Sequence, residues 1–264
     1  MRVLKPSVIT CLFLLNMLVP GTALSQKPGG VSTNLEFWVR ADTGITDSSG
    51  KVTKWSDLSG NNNDASQTQA LEYPNYKDSN TNYNPAVYFD GNDDNLAIND
   101  LVGASSKNIT VFVVASEENG GDNWHSILHG QSNSSWTGGG YAITALNSGN
   151  TDFGFWVNDY TRNYVQSPWS GSPISILSGT YNGNDVEYFF NAGSKGTDSY
   201  SGNIGDAGST HLGGGPNTQF NHKGHIAEVA VYSDTLTNTE LKKVHSYLAL
   251  KHGITLDRVA VSGD

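Results

Sequence analysis

The sequence predicts an all-β fold, an antiparallel sandwich of two sheets carrying one C-terminal helix, and three observations lead there. Short runs rich in β-branched and aromatic residues recur along the chain, with Gly, Asn, Asp and Ser between them. Composition agrees: the 264 residues include 30 Gly and only 15% charged side chains, where an average globular protein has roughly 25%. Turns are therefore plentiful and helix-stabilising ion pairs scarce. A single stretch near the end has helical periodicity with helix punctuation on both sides.

Residues 1–25 read as a signal peptide. Arg2 and Lys5 precede an apolar run at 8–19 (VITCLFLLNMLV) that is too short to span a bilayer comfortably, and Ala23 and Ser25 are small residues where a signal peptidase reads them. Cleavage before Gln26 removes two bases and no acid, moving the formal charge from -10 to -12. Cys11, the single cysteine, lies inside that run, so the mature chain 26–264 has no disulfide and no thiolate metal site. No second long apolar segment follows, and no transmembrane segment is expected.

Strands are expected at 35–39 (LEFWV), 86–89 (AVYF), 109–115 (ITVFVVA), 141–146 (YAITAL), 153–157 (FGFWV), 174–181, 186–191 and 225–232. Asn182, Gly183 and Asn184 form a hairpin signal, because Asn and Gly tolerate the positive φ of tight turns. The triple glycines at 138–140 and 213–215 also read as turns. The last element is a helix, Asn238–His252. Thr237 and Glu240 have capping-box spacing, Leu236 and Leu241 are placed as a hydrophobic staple, Leu241, Val244 and Leu248 form an apolar stripe, and Gly253 supplies the stop.

The charge of -10 disfavours nucleic acid, whose phosphates need clustered Lys and Arg. With 6 Trp, 12 Tyr and 9 Phe the chain is not a disordered tract. It contains no Gly-x-Ser-x-Gly elbow, no phosphate-binding glycine loop and no His-Glu-x-x-His motif. Asp185 and Glu187 are an i, i+2 carboxylate pair at a hairpin edge, where solvation explains them, and Glu228 has Ile226 and Ala230 where a paired acid would stand. His125 with His129, and His222 with His225, fall short of the three or four converging ligands of a zinc site, so hydrogen-bonded or exposed histidines are expected.

Calcium is the candidate cofactor, since hard oxygen ligands abound. Asp90, Asn92 and Asp94 put oxygen side chains at alternate positions, and Asp90, Asp93 and Asp94 are the candidate metal residues. An EF-hand is excluded by Asn95 and Leu101, which stand where its Gly and closing Glu belong. Asp57 with Asp64 is a second candidate; turn formation is the plain alternative for both groups. Among the aromatics, Trp38, Phe89 and Phe112 sit in strand patterns and are assigned to the core. Trp136, Trp169, Tyr160 and Tyr164 lie among Ser, Asn, Gly and Pro and are the candidate ligand-binding residues, the two tryptophans foremost; plugging the ends of the sandwich is their other use.

Residues 224–232 (GHIAEVAVY), followed by Leu236, Thr237, Glu240 and Leu241, resemble the closing strand and helix start of bacterial laminin G-like domains with the concanavalin A-like jelly-roll fold. Residues 55–61 (WSDLSGN) and 84–94 (NPAVYFDGNDD) resemble the first third of the same domains, and 246–256 (SYLALKHGITL) is similar to a variant found in large bacterial surface proteins. The resemblance covers essentially all of 26–264 and implies one jelly-roll domain. That superfamily holds sugar-binding lectins, adhesion modules, glycosidases and polysaccharide lyases, so the fold does not choose among them. Its glycosidases carry Glu-x-Asp-x-x-Glu on one strand, which this chain lacks. The expected function is a secreted or cell-surface, non-catalytic module whose partner is a glycan or an extracellular surface. A jelly-roll glycoside hydrolase or polysaccharide lyase, and a structural spacer, are the alternatives.

Overall fold

The computed structural model describes residues 27–118, 124–131, 137–146, 152–159, 161, 163–169, 173–205, 208–216 and 220–257. Residues 1–25, where a signal peptide is expected, and also Trp136 and Tyr160 fall outside them. The described strands are β1 (Leu35–Arg40), β2 (Ile45–Ser48), β3 (Lys51–Trp55), β4 (Ala65–Ser66), β5 (Asn75–Thr81), β6 (Asn84–Asp90), β7 (Leu96–Ile98), β8 (Ile109–Glu117) and β9 (Ser126–Gly130). They continue as β10 (Thr137–Ala145), β11 (Asp152–Asp159), β12 (Tyr164–Pro168), β13 (Ser175–Tyr181), β14 (Asp185–Phe190), β15 (Gly193–Ser199), β16 (Thr210–Leu212) and β17 (Lys223–Tyr232), followed by the helix α1 (Asn238–His252). Short 3-10 turns occupy Pro28–Gly30 and Ala70–Glu72.

All of the pairings are antiparallel. One run of neighbours is β12-β11-β10-β9-β16-β7-β4-β3-β2. Another is β15-β14-β13-β8-β17; β17 is then flanked by β1 along its C-terminal half and by β6, with β5 beyond it, along its N-terminal half. The bridge from Lys51 to Asn75 links the runs, so the all-β ladder is sandwich-like and nearly closed.

Alternation explains the long apolar run of β8. Val111, Val113 and Ala115 enter the main core with Phe37, Phe89 and Phe155, while Phe112 and Val114 face a second cluster beneath α1. Both faces are covered, so neither needs polar residues. The helix is bounded as its caps dictate. Thr237 Oγ1 accepts from the Glu240 N–H, Glu240 returns a carboxylate to the Thr237 N–H, and Gly253 closes the far end in the left-handed conformation. Leu241, Val244 and Leu248 are buried against the second cluster. Leu241→Ala is expected to cost about 2–5 kcal/mol in denaturant unfolding; a loss near zero would mean the helix is not packed on the sheet.

The glycine run at 138–140, read as a turn, instead lies within β10. The register shifts between Thr137 and Tyr141 there, and a Cβ on Gly140, whose φ is +101°, would stand 2.4 Å from the Gly130 carbonyl oxygen. The glycines thus make a bulge where two backbones approach closely. No helix among the described residues is long and apolar enough to cross a membrane.

Candidate functional site

β12 and β15 lie side by side without a shared ladder: among the described residues β12 pairs only with β11, and β15 only with β14. The seam between them is a shallow groove of about 480 Å³. Alternation turns Val165 inward and Tyr164 outward, leaving Tyr164 37% exposed. The Tyr164 N–H donates to Asp198 Oδ2 at 3.3 Å, which holds that carboxylate beside the strand. Thr161, Thr197 and Lys195 complete the lining. Asp159 Oδ1 accepts from both the N–H and the hydroxyl of Thr161, at 2.9 and 2.6 Å, and so tethers Thr161 to the end of β11. Lys195 Nζ is paired with Asp257 at 2.8 Å. An exposed aromatic ring beside a carboxylate and hydroxyls offers one apolar face and several hydrogen-bonding groups, which is the chemistry a sugar ring presents in reverse. Among the described residues, the facing edges of β12 and β15 also carry backbone donors and acceptors that no ladder consumes.

Trp169 is placed differently from expectation. It is 4% exposed, with its ring edge-on to Phe153 at 4.7 Å and 6.5 Å from Phe190, so it fills the main core and presents no face to a ligand. The polar residues that follow it in sequence conceal this, because burial is decided by β11 and β14. Trp136 and Tyr160 lie outside the described residues.

Asp90, Asp93 and Asp94 are brought together, with one carboxylate oxygen of each within 4.8 Å of the other two. β6 ends at Asp90, Gly91 at φ +83° reverses the chain, and β7 begins at Leu96. Asp90 Oδ1 accepts from the Asn92 N–H at 2.9 Å, and Asp94 Oδ2 from the Asp90 N–H at 3.0 Å. Asp94 is 1% exposed, and among the described residues its Oδ1 accepts no hydrogen bond. Burial, and then repulsion from Asp90, push the Asp94 carboxyl up to about 7. The Asn95 N–H donates to the Glu72 carbonyl, and Asn221 Nδ2 to the Asn92 carbonyl, which anchors the turn to two distant segments.

The second acidic candidate is saturated. Asp57 accepts from the Trp38, Ser59 and Asn63 N–H groups and from the Ser59 hydroxyl, while Asp64 accepts from the Asp57 N–H and from Lys54. These carboxylates shape a loop. Asp185 and Glu187 accept from Ser199 and Ser194 of β15 across the hairpin. Glu187 also borders a cleft of about 360 Å³ between β14 and α1, lined by Phe189, Leu241 and His245.

The seven histidines are all buried, where exposure had been one of two expectations. His245 shares a hydrogen bond of 2.8 Å with Ser178, His129 one of 3.2 Å with Ser126 and His211 one of 2.9 Å with Ser209. Burial pushes His129 down to about 3 and His211 and His245 to about 4, and lowers His222 and His225 too. His125 Nε2 lies 3.2 Å from Glu117 Oε1. Among the described residues the aspartate trio is the one group with metal-ligand convergence. Glu228, 1% exposed, accepts from Trp38 Nε1 at 2.8 Å and Lys251 Nζ at 2.7 Å and meets His252 Nε2 at 3.0 Å. Burial would raise its pKa, but these partners outweigh it and hold the carboxylate below its ordinary range.

No protein-family model matches the chain, and no curated protein matches it by sequence. Solved structures do match. The binding domain of botulinum neurotoxin serotype D is similar at a TM-score of 0.59 and 13% identity, over 84% of this chain and 53% of that one. Domain 4 of an extracellular arabinanase from Geobacillus stearothermophilus, in complex with arabinotriose, is similar at 0.55 and 13%, over 81% and 98%. The serotype D ligand-binding domain in complex with N-acetylneuraminic acid is similar at 0.53 and 14%, over 82% and 51%. The chain thus spans about half the length of the neurotoxin chains. At these identities the likeness shows the fold alone, an all-β, sandwich-like domain.

Proposed function

We propose that this protein is a secreted, non-catalytic glycan-binding module of the laminin G-like type, its ladder arranged as a two-sheet jelly roll, with the groove beside Tyr164 as its saccharide site. The observation that carries this reading is the seam itself: an exposed tyrosine ring, a positioned Asp198 and two threonines between edge strands. Two similar folds were solved as saccharide complexes, one with arabinotriose and one with N-acetylneuraminic acid, which supports the class of ligand. A chain with a formal charge of -10, and a groove lysine already paired with Asp257, favour neutral saccharides over polyanions. The sugar would stack one face on Tyr164 while Asp198 and the threonines bond its hydroxyls.

A glycan array and titration calorimetry on the mature chain test the reading. Tyr164→Ala is expected to weaken binding several-fold, on the order of 1 kcal/mol, and to lower the melting temperature by only a few degrees, because Tyr164 belongs to none of the buried core clusters. Unchanged affinity in that variant would displace the site from the groove. Failure of the native chain to bind any glycan or matrix preparation would favour the structural spacer. Release of reducing ends or unsaturated products would make the protein an enzyme.

A further inference from the structure

We propose that Asn182 is a modification site at which the folded chain deamidates itself, closing a succinimide through the Gly183 nitrogen and opening it with water. The saccharide groove plays no part in this, so either reading can fail alone.

Asn182 and Gly183 open the turn between β13 and β14. Asn182 is exposed, and Gly183, at φ +83°, holds a left-handed conformation that a residue with a Cβ resists. Glycine also leaves its own nitrogen unshielded toward the side chain that precedes it. Among the described residues the Gly183 N–H donates no hydrogen bond, and neither does Asn182 Nδ2, so the nucleophile and the leaving group are both uncommitted.

The carbonyl of the same side chain is held firmly. Asn182 Oδ1 accepts from the Asn184 N–H at 2.9 Å and from the Asp185 N–H at 2.8 Å. The first of these bonds curls the side chain over the Gly183 peptide, because the ring it closes runs through the Gly183 nitrogen. When that nitrogen adds to Cγ, negative charge gathers on Oδ1. Two backbone donors at this spacing are what an oxyanion hole supplies to a tetrahedral intermediate, and here they are in place before the attack. Reacting groups on neighbouring residues, already turned toward each other, also need little further ordering to meet.

Water is the sole co-reactant. The bond from the Gly183 nitrogen to Cγ forms as the nitrogen gives its proton to solvent, and the bond from Cγ to Nδ2 breaks, releasing ammonia. Hydrolysis of the ring at Cγ gives aspartate, whereas hydrolysis at the Asn182 main-chain carbonyl gives isoaspartate, with one extra carbon in the backbone. Either product puts a new negative charge beside Asp185. Isoaspartate also lengthens the connection between Tyr181 and Val186, the pair that closes the hairpin ladder.

The test incubates the folded native chain in heavy-oxygen water at mildly alkaline pH, with a synthetic peptide of residues 178–187 as the reference for an unfolded turn. Mass spectrometry of the peptide carrying Asn182 follows the reaction; the other Asn-Gly pair, Asn119 with Gly120, lies outside the described residues and is resolved in a separate peptide. Asn182 is expected to convert in the folded chain at least as fast as in the reference peptide, with heavy oxygen incorporated and isoaspartate among the products. Asn182→Gln, whose longer side chain would have to close a six-membered ring, is expected to stay unchanged over the same period. Asn182 left intact in the folded chain, or converted several-fold more slowly than in the peptide, would overturn the proposal. That comparison needs no variant, so it stands even if Asn182→Gln fails to fold.

Discussion

Glu228→Ala is expected to lower the unfolding free energy by about 3–5 kcal/mol, the usual cost of removing one partner from a buried charged group. For a chain of this size that is a fall of roughly 6–20 °C in melting temperature. Glu228 is the meeting point of β1, β17 and α1, since Trp38 Nε1, Lys251 Nζ and His252 Nε2 all converge on its two oxygens. Lys251 retains Asp42 at 3.3 Å when Glu228 is removed, but the buried indole N–H of Trp38 and the His252 ring lose the partner seen here. Glu228→Gln, which keeps the shape and one acceptor, should cost less. Urea titrations of the three proteins measure this directly. A loss below about 1 kcal/mol in the alanine variant would show that the charge cluster is incidental to the docking of the helix.

Acidification is the second large effect. The unfolded chain takes up protons on histidine below about pH 6.5, whereas the folded chain holds His129, His211 and His245 neutral until about 3 to 4. Stability from their neutrality is therefore complete above pH 6.5 and is lost as the pH falls toward 4. At pH 5 the loss is about 2 kcal/mol for each, or about 6 for the three. Asp94 acts in the opposite direction: its carboxyl is raised to about 7, so the folded state is favoured as the pH falls from 7 toward 4, offsetting about 3 kcal/mol at pH 5. His222 and His225, both lowered, add to the loss. The net expectation is a melting temperature at least about 6 °C lower at pH 5 than at pH 7. Equal melting at the two values would mean that the histidines gain protons in the folded state without penalty.

What could be read from the residues divides along local and non-local lines. α1 was legible to the residue because its caps, staple and stripe all lie within one short segment. β8 and β17 were legible because covered faces demand unbroken apolar runs. β5 (NYKDSNT) and β15 (GSKGTDS) were not, since strands at the margin of a ladder need no apolar face and their sequences look like loops. The alternate spacing of Asp90, Asn92 and Asp94 marked the acidic turn, whereas the approach of Asp93 to Asp90 and Asp94 depends on how that turn folds. Tyr164 stood out as an aromatic in polar surroundings, but its groove depends on β15, some thirty residues later, which no local pattern announces. Trp169 shows the reverse failure: its polar neighbours suggest a loop, while its ring packs against Phe153 and Phe190.

Because β1 pairs with β17, its ladder cannot close until the C-terminal part of the chain is present. Trp38 and Glu228 are 190 residues apart in the chain, and at roughly 5–20 residues per second the ribosome separates their synthesis by about 10–40 s. Throughout that interval β1, with Phe37, Trp38 and Val39, has neither its ladder nor the carboxylate that its indole requires. Closure is thus a late event, controlled by contacts of high order and slow by comparison with local helix formation. A nascent chain stalled before residue 223 would carry an apolar strand with an open edge, and it would depend on whatever holds unfolded chains apart until β17 arrives.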